Sequence, residues 1–154
     1  MKFITITSSD KMWQEVRDYA WNCSWRAGKS LAKLMDEDCF SDWERVITVV
    51  DDNGKICGFC TVVKKDCIPD LEYFPNIGYV FIDETYRGNR LSQKMLDYAM
   101  RYLKNIGFES VYLVSDHENF YEKYGFIVIG RKMAPWGTEQ KVFTHMLCDE
   151  MTLT

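Results

Sequence analysis

The chain has 154 residues, of which 47% are hydrophobic, and 23 acidic residues against 19 basic ones give a formal net charge of −4. This is enough apolar material for one core, so a single domain spanning residues 1–154 is expected. The mild acidity argues against nucleic acid or an anionic membrane surface as a partner.

The chain opens with Met-Lys-Phe-Ile-Thr-Ile-Thr. That stretch lacks the apolar run of a signal peptide or membrane span, which predicts a cytoplasmic protein. Phe3 to Thr7 alternates apolar and polar residues as a half-buried strand. Ser9 to Asp38 reads as two helices meeting near Trp21 to Ser24. Trp43 to Asp51 and Lys55 to Val63 read as strands joined by Asp52-Asn53-Gly54, because Asn-Gly tolerates the positive φ of a tight turn. Pro75 to Asp83 is a further strand. The period then changes: Leu91, Met95, Tyr98, Ala99, Tyr102 and Ile106 recur every three or four residues, which predicts an amphipathic helix stopped at Gly107. Glu109 to Ser115 returns to strand, Glu118 to Tyr124 reads as a short helix, and Phe126 to Lys132 with Gln140 to Cys148 completes the sheet. The expected class is α/β, with a mixed sheet of the α+β kind and helices packed on it.

Six cysteines are scattered along the chain, at positions 23, 39, 57, 60, 67 and 148. In a chain large enough to fold on its core they are expected to be reduced. Cys57 and Cys60 form a C-x-x-C that admits a redox or zinc reading. They lie in a strand pattern, however, where positions three apart point to opposite faces, and no second pair or paired histidine follows. Packing is the preferred reading, and no metal is expected.

The segment Asp83-Glu-Thr-Tyr-Arg-Gly-Asn-Arg-Leu-Ser92 joins a buried strand to the start of the longest helix. A helix start leaves backbone N–H groups unpaired, and with the helix dipole they attract an anion such as a pyrophosphate. Gly88 lets the backbone approach closely, Arg87 and Arg90 add positive charge, and Ser92 adds a hydroxyl. An ordinary polar helix entry with two solvated arginines is the alternative.

On these residues the chain resembles the GNAT superfamily of N-acetyltransferases. Its pyrophosphate loop reads Gln or Arg, any, any, Gly, any, Gly or Ala. Arg87 fills the first position and Gly88 the additional glycine often found next, whereas Arg90 and Ser92 depart from the pattern. Ile77 to Arg87 resembles the family's fourth strand and the turn after it, and Asn119-Phe-Tyr-Glu-Lys-Tyr-Gly-Phe126 its short helix and following strand. The resemblance implies about seven strands with about four helices, and acetyl-CoA as cosubstrate. It implies cofactor contacts from the backbone of Val80, Phe81 and Ile82 and from Arg87, Gly88, Asn89, Arg90, Leu91 and Ser92. It places Tyr121 at the cofactor sulfur as proton donor, although by spacing alone Phe120, Tyr121 and Tyr124 read as packing residues. Val114 stands where the family often has a pantetheine-holding Asn, which leaves that role to Asn119 or His117.

Glu84, Asp116 and His117 are the candidate bases, each at the C-terminal end of a strand, with a water chain as the alternative. Trp21, Trp25 and Trp136 are candidate acceptor-binding residues. Beside Asp36, Glu37 and Asp38, an aromatic wall would suit a cationic amine; the alternative is core tryptophans and a solvated helix end. The expected activity is acetyl transfer to a small-molecule amine, or to a protein N-terminus or lysine. A non-catalytic sensor of CoA or a metabolite is the alternative, and an exposed terminal strand would permit a homodimer.

Overall fold

The computed structural model describes residues 1–66 and 71–147. Cys67 and Cys148 lie outside the described residues. Among the described residues seven strands form one mixed sheet in the order β1-β2-β3-β4-β5-β7-β6. They are β1 Lys2–Ile6, β2 Arg45–Val50, β3 Ile56–Val63, β4 Asn76–Ile82, β5 Ser110–Ser115, β6 Ile127–Met133 and β7 Glu139–Met146. The α-helices are α1 Met12–Asn22, α2 Gly28–Asp36 and α3 Leu91–Asn105. About four helices were expected; among the described residues three are present, with two single 3₁₀ turns at Glu84–Tyr86 and Glu122–Tyr124.

The chain divides into two compact units, Met1–Thr61 with Tyr79–Leu96, and Val62–Gly78 with Asp97–Thr154. In the first, β1 pairs antiparallel with β2, from Lys2↔Val50 to Ile6↔Val46. The turn between β2 and β3 closes through Asp51, whose carboxylate accepts the Asn53 and Lys55 amides at 2.9 Å, with Gly54 at φ +80. The core of this unit gathers Val16 and Ala20 of α1, Leu31 and Met35 of α2, and Val46, Phe59 and Phe81 of the strands. These helix positions recur at the three-to-four spacing of one buried face. Cys57 and Cys60 are buried in β3 as free thiols, and burial pushes the Cys60 pKa up, away from thiolate chemistry.

In the second unit β4 pairs parallel with β5 through Asn76↔Tyr112 and Ile77↔Leu113, β5 pairs antiparallel with β7, and β7 with β6. The buried face of α3 is rotated from the expected one. Leu91, Met95, Leu96, Ala99, Met100 and Leu103 are buried, Tyr98 and Tyr102 are half-buried at the margin, and Ile106 is exposed beyond the last turn. Tyrosine hydroxyls keep their rings at the wet border, while the aliphatic residues take the centre. The helix expected over residues 118–124 reduces to the 3₁₀ turn, because Asn119 stands at φ +58 and Gly125 at φ +93, both outside helical geometry. Among the described residues no helix is long and apolar enough to cross a membrane.

Candidate active site

Halfway along β4 the strand changes character. Tyr79 stands at φ +49, and the buried run Asn76 to Gly78 gives way to half-buried Tyr79 and Val80 before Phe81 and Ile82 return to the core. A non-glycine residue in the left-handed region within a strand bends it and breaks its pairing pattern. At the end of the strand the Asp83 amide donates to the Cys57 carbonyl at 2.7 Å. The Asp83 carboxylate accepts the Thr85 amide (3.1 Å), the Thr85 hydroxyl (2.9 Å) and the Tyr19 hydroxyl (3.1 Å). These bonds, the Thr85 amide foremost, hold the Asp83 pKa below the ordinary carboxylate range. Burial and then the Asp83 carboxylate push the Tyr19 phenol up.

A group whose folded pKa is depressed stabilises the fold above its unfolded pKa and loses that contribution as pH falls through the folded value. The stability gap between the protein and Asp83→Asn, followed by urea titration, is therefore expected to be full near neutrality and to shrink in acid. A gap constant with pH would refute this.

The turn after β4 is built for a special backbone. Arg87 anchors it: the Nε donates to the Ile82 carbonyl at 3.0 Å and the guanidinium lies 5.8 Å from the Phe81 ring centre. Gly88 stands at φ +92, and Asn89 donates through Nδ2 to the Tyr86 carbonyl at 3.4 Å. Arg90 is also left-handed, at φ +56, a conformation that favours glycine. Departure from the family pattern at this position thus keeps the glycine-like backbone and adds a cation. The Arg90 carbonyl accepts the Lys94 amide at 3.1 Å, which makes it the first acceptor of α3. Leu91 is buried and pins the helix start, while Ser92 is half-buried. The amides of Leu91, Ser92 and Gln93 precede the first helical bond, so they and the dipole present a positive pole flanked by two arginines. A pyrophosphate fits this donor set.

The rest of the first unit supplies an acidic cleft of about 570 Å³, lined in part by Glu15, Asp18, Tyr19, Lys55, Asp83 and Glu84. Glu84 is exposed and accepts the Ser24 hydroxyl at 2.6 Å. Trp21 and Trp25 stand outside that lining. Trp25, 36% exposed, stacks at an interplanar angle of 5° on Phe81 and also meets Phe59 and Tyr79. The Trp21 ring already carries two of the chain's own cations, Lys29 Nζ at 4.5 Å and the Arg17 guanidinium at 5.1 Å. Asp36 is likewise engaged, accepting Arg17 at 2.8 and 2.9 Å, and Asp38 accepts Ser8 at 2.9 Å. Trp21, Asp36 and Asp38 are thus engaged by the chain's own side chains, while Trp25 and Trp136 keep exposed ring surface.

Tyr121, His117, Asn119 and Trp136 belong to the second unit. Tyr121 is 5% exposed, within 4.8 Å of Phe120, 5.6 Å of Phe143 and 6.0 Å of Phe126 between ring centres. His117 lies 6.1 Å from the Tyr121 ring, and its amide donates to Ser115 Oγ at 3.1 Å. Asp116, His117 and Asn119 are exposed, and Trp136 is exposed at the tip of the β6–β7 turn. Sequence reasoning missed Lys141. Although it reads as a solvent position in β7, its side chain is 7% exposed and donates to Glu118 at 2.6 Å, with Glu122 at 3.6 Å. The Glu118 bond holds the Lys141 pKa above its ordinary value. The two glutamates flank Tyr121, so Lys141 fixes the segment that carries it. Only the charge pattern Glu118, Glu122, Lys141 hinted at this, and three charges so spaced in sequence are ordinarily solvated.

By fold, the chain is similar to the crystal structure of an aminoglycoside 6'-acetyltransferase type Ii, with a TM-score of 0.74 at 16% identity over 96% of this chain and 98% of that one. It is similar to an aminoglycoside 6'-N-acetyltransferase complexed with coenzyme A, with a TM-score of 0.73 at 14% identity and the same coverage of 96% and 98%. A GNAT family N-acetyltransferase from Escherichia coli in complex with CoA gives 0.72 at 19% identity, over 99% of this chain and 84% of that one. Among curated proteins none matches by sequence. The sequence model of the acetyltransferase (GNAT) family, however, matches residues 13–126, which include the bent β4, the turn at Arg87 to Ser92 and Tyr121, and the chain belongs to that family.

Proposed function

We propose that the protein is an acetyl-CoA-dependent N-acetyltransferase that acylates a primary amine of a small molecule by direct attack in a ternary complex. A protein N-terminus or lysine amine is the variant acceptor. The observation that carries this reading is the turn from Arg87 to Leu91, whose left-handed Gly88 and Arg90 lead into the open amides of α3. Backbone donors of this turn, with Arg87, Asn89, Arg90 and Ser92, would hold the pyrophosphate, and the backbone of Val80, Phe81 and Ile82 would pair with the pantetheine arm. When bound, acetyl-CoA supplies the activated acyl thioester. The bend at Tyr79 supports a backbone donor for the thioester oxygen. Tyr121 would protonate the departing thiolate, Asn119 would steady the pantetheine, and Glu84 or His117 would accept the amine proton, directly or through water.

Two observations favour a cationic acceptor. The cleft of the first unit sets four carboxylates, Glu15, Asp18, Asp83 and Glu84, against the single ammonium of Lys55. The solved structures of similar fold include aminoglycoside and spermidine N-acetyltransferases. Calorimetry is expected to show acetyl-CoA binding. Thiol release is then expected with at least one member of a panel of aminoglycosides, polyamines, amino-acid amines and peptides. Binding with no release across the panel would identify a sensor of the same fold, and absence of binding would remove the assignment altogether.

A further inference from the structure

The side-chain bonds that shape the turn after β4 differ in reach. Those from Arg87 Nε to the Ile82 carbonyl and from Asn89 Nδ2 to the Tyr86 carbonyl span five and three residues, so both move with the segment they fold. The half-buried Tyr86 instead reaches another element: its hydroxyl donates to Asp51 Oδ2 at 2.8 Å, 35 residues away in sequence. Asp51 is a fixed anchor. Its Oδ1 accepts the Asn53 and Lys55 amides, its own amide donates to the Lys55 carbonyl at 2.9 Å, and its carbonyl accepts the Gly54 amide at 3.0 Å. These bonds of the turn between β2 and β3 set the direction of Oδ2. The Tyr86 bond is the foremost cause that holds the Asp51 pKa below the ordinary carboxylate range, and the same bond pushes the Tyr86 phenol up. Near neutrality the acceptor is therefore ionised and the donor protonated, which makes the bond charge-assisted.

We propose that Tyr86 is a positioning residue for acetyl-CoA: through Asp51 it fixes the turn from Arg87 to Ser92 against the β2–β3 hairpin before the cofactor arrives. This rests on the reading of that turn as the diphosphate site. A turn with Gly88 and Arg90 both left-handed persists only where its surroundings over-determine it, and a non-glycine residue such as Arg90 makes the demand sharper. Tyr86 meets the demand through its neighbours. Arg87 follows it directly, and its carbonyl receives the Asn89 side chain, so a shift of Tyr86 is passed to both. Without the hydroxyl bond the turn would sample other arrangements, and the cofactor would have to order it on binding. A site ordered in advance avoids that cost.

Tyr86→Phe tests this, because it keeps the ring and removes only the donor. Calorimetry is expected to show the acetyl-CoA dissociation constant raised about tenfold, the scale of one hydrogen bond to a charged acceptor. Thiol release at saturating acetyl-CoA should keep kcat within about twofold, since the occupied turn is the same in both proteins. Urea titration confirms that the variant is folded under the assay conditions. In the Tyr86→Phe background, Asp51→Asn should cause no further loss of affinity, because the bond it would weaken is already gone and the amide oxygen still serves the two backbone donors. An unchanged dissociation constant in folded Tyr86→Phe overturns the proposal. So does a fall in kcat as large as the fall in affinity, which would mark general damage, or a second full loss on adding Asp51→Asn, which would mean that the hydroxyl acts elsewhere. A parent protein that does not bind acetyl-CoA removes the diphosphate reading itself, whereas a binding parent beside an unaffected Tyr86→Phe removes the tether alone.

Discussion

Replacing Tyr121 with phenylalanine is expected to lower kcat for thiol release by about a hundredfold, near 2.7 kcal/mol of transition-state stabilisation, with acetyl-CoA affinity unchanged. The substitution is well suited to isolate the hydroxyl, because the ring is already fixed by Phe120, Phe126 and Phe143. Phenylalanine keeps those ring contacts and nearly the same volume. The segment is held independently by Lys141 through Glu118, and the turn by the bond from the Phe126 amide to the Tyr121 carbonyl at 3.3 Å. A loss in kcat alone therefore reports proton donation to the leaving thiolate. Loss of acetyl-CoA binding by calorimetry, or unchanged turnover, would assign Tyr121 to packing.

The elements of this fold could be read where period or turn chemistry was strong. The alternation of Phe3 to Thr7, the Asp-Asn-Gly turn and the start of α3 at Leu91 each depend on neighbours in sequence, and each is present within a residue or two. What failed depended on contacts distant in sequence. The face of α3 was misjudged because a period identifies a stripe but not which flank meets the sheet, and tyrosines count as apolar in a pattern while sitting at its margin. The helix before Tyr124 was overextended because nothing local forces Asn119 into the left-handed region. The turn at Arg87 to Ser92 was legible as a special backbone leading into a helix, through its glycine and its place before Leu91. The bend at Tyr79 was not, since tyrosine is an ordinary strand residue. The two cations on the Trp21 ring, Arg17 and Lys29, were not legible, since neither contact has a local sequence signature. Lys141 was hidden because its partners lie more than fifteen residues away and a lone lysine in a strand reads as solvated.

The bent strand also makes a demand that no motif records, at Gly58. This residue is buried in the middle of β3, and a β-carbon there would collide with the carbonyl oxygen of Phe81 while standing 2.9 Å from Ile82 Cδ1 and 3.2 Å from Ile82 Cα. Two of the three obstacles are backbone, so no rotamer change relieves the overlap. Nor is there room to yield outward, because neighbouring Cys57 holds the end of the strand through its carbonyl and the Asp83 amide. Gly58→Ala is therefore expected to destabilise the fold by roughly 2–3 kcal/mol, as overpacking a rigid interior does, measured as a lower urea midpoint at unchanged slope. The displaced backbone is that of Phe81 and Ile82, the stretch proposed to meet the pantetheine, and Arg87 is anchored on the Ile82 carbonyl. Acetyl-CoA affinity should consequently fall at least about tenfold in protein that is still folded. A loss of stability with full affinity would mean that the strand recovers its shape around the methyl group, and the pantetheine contacts would then have to lie elsewhere.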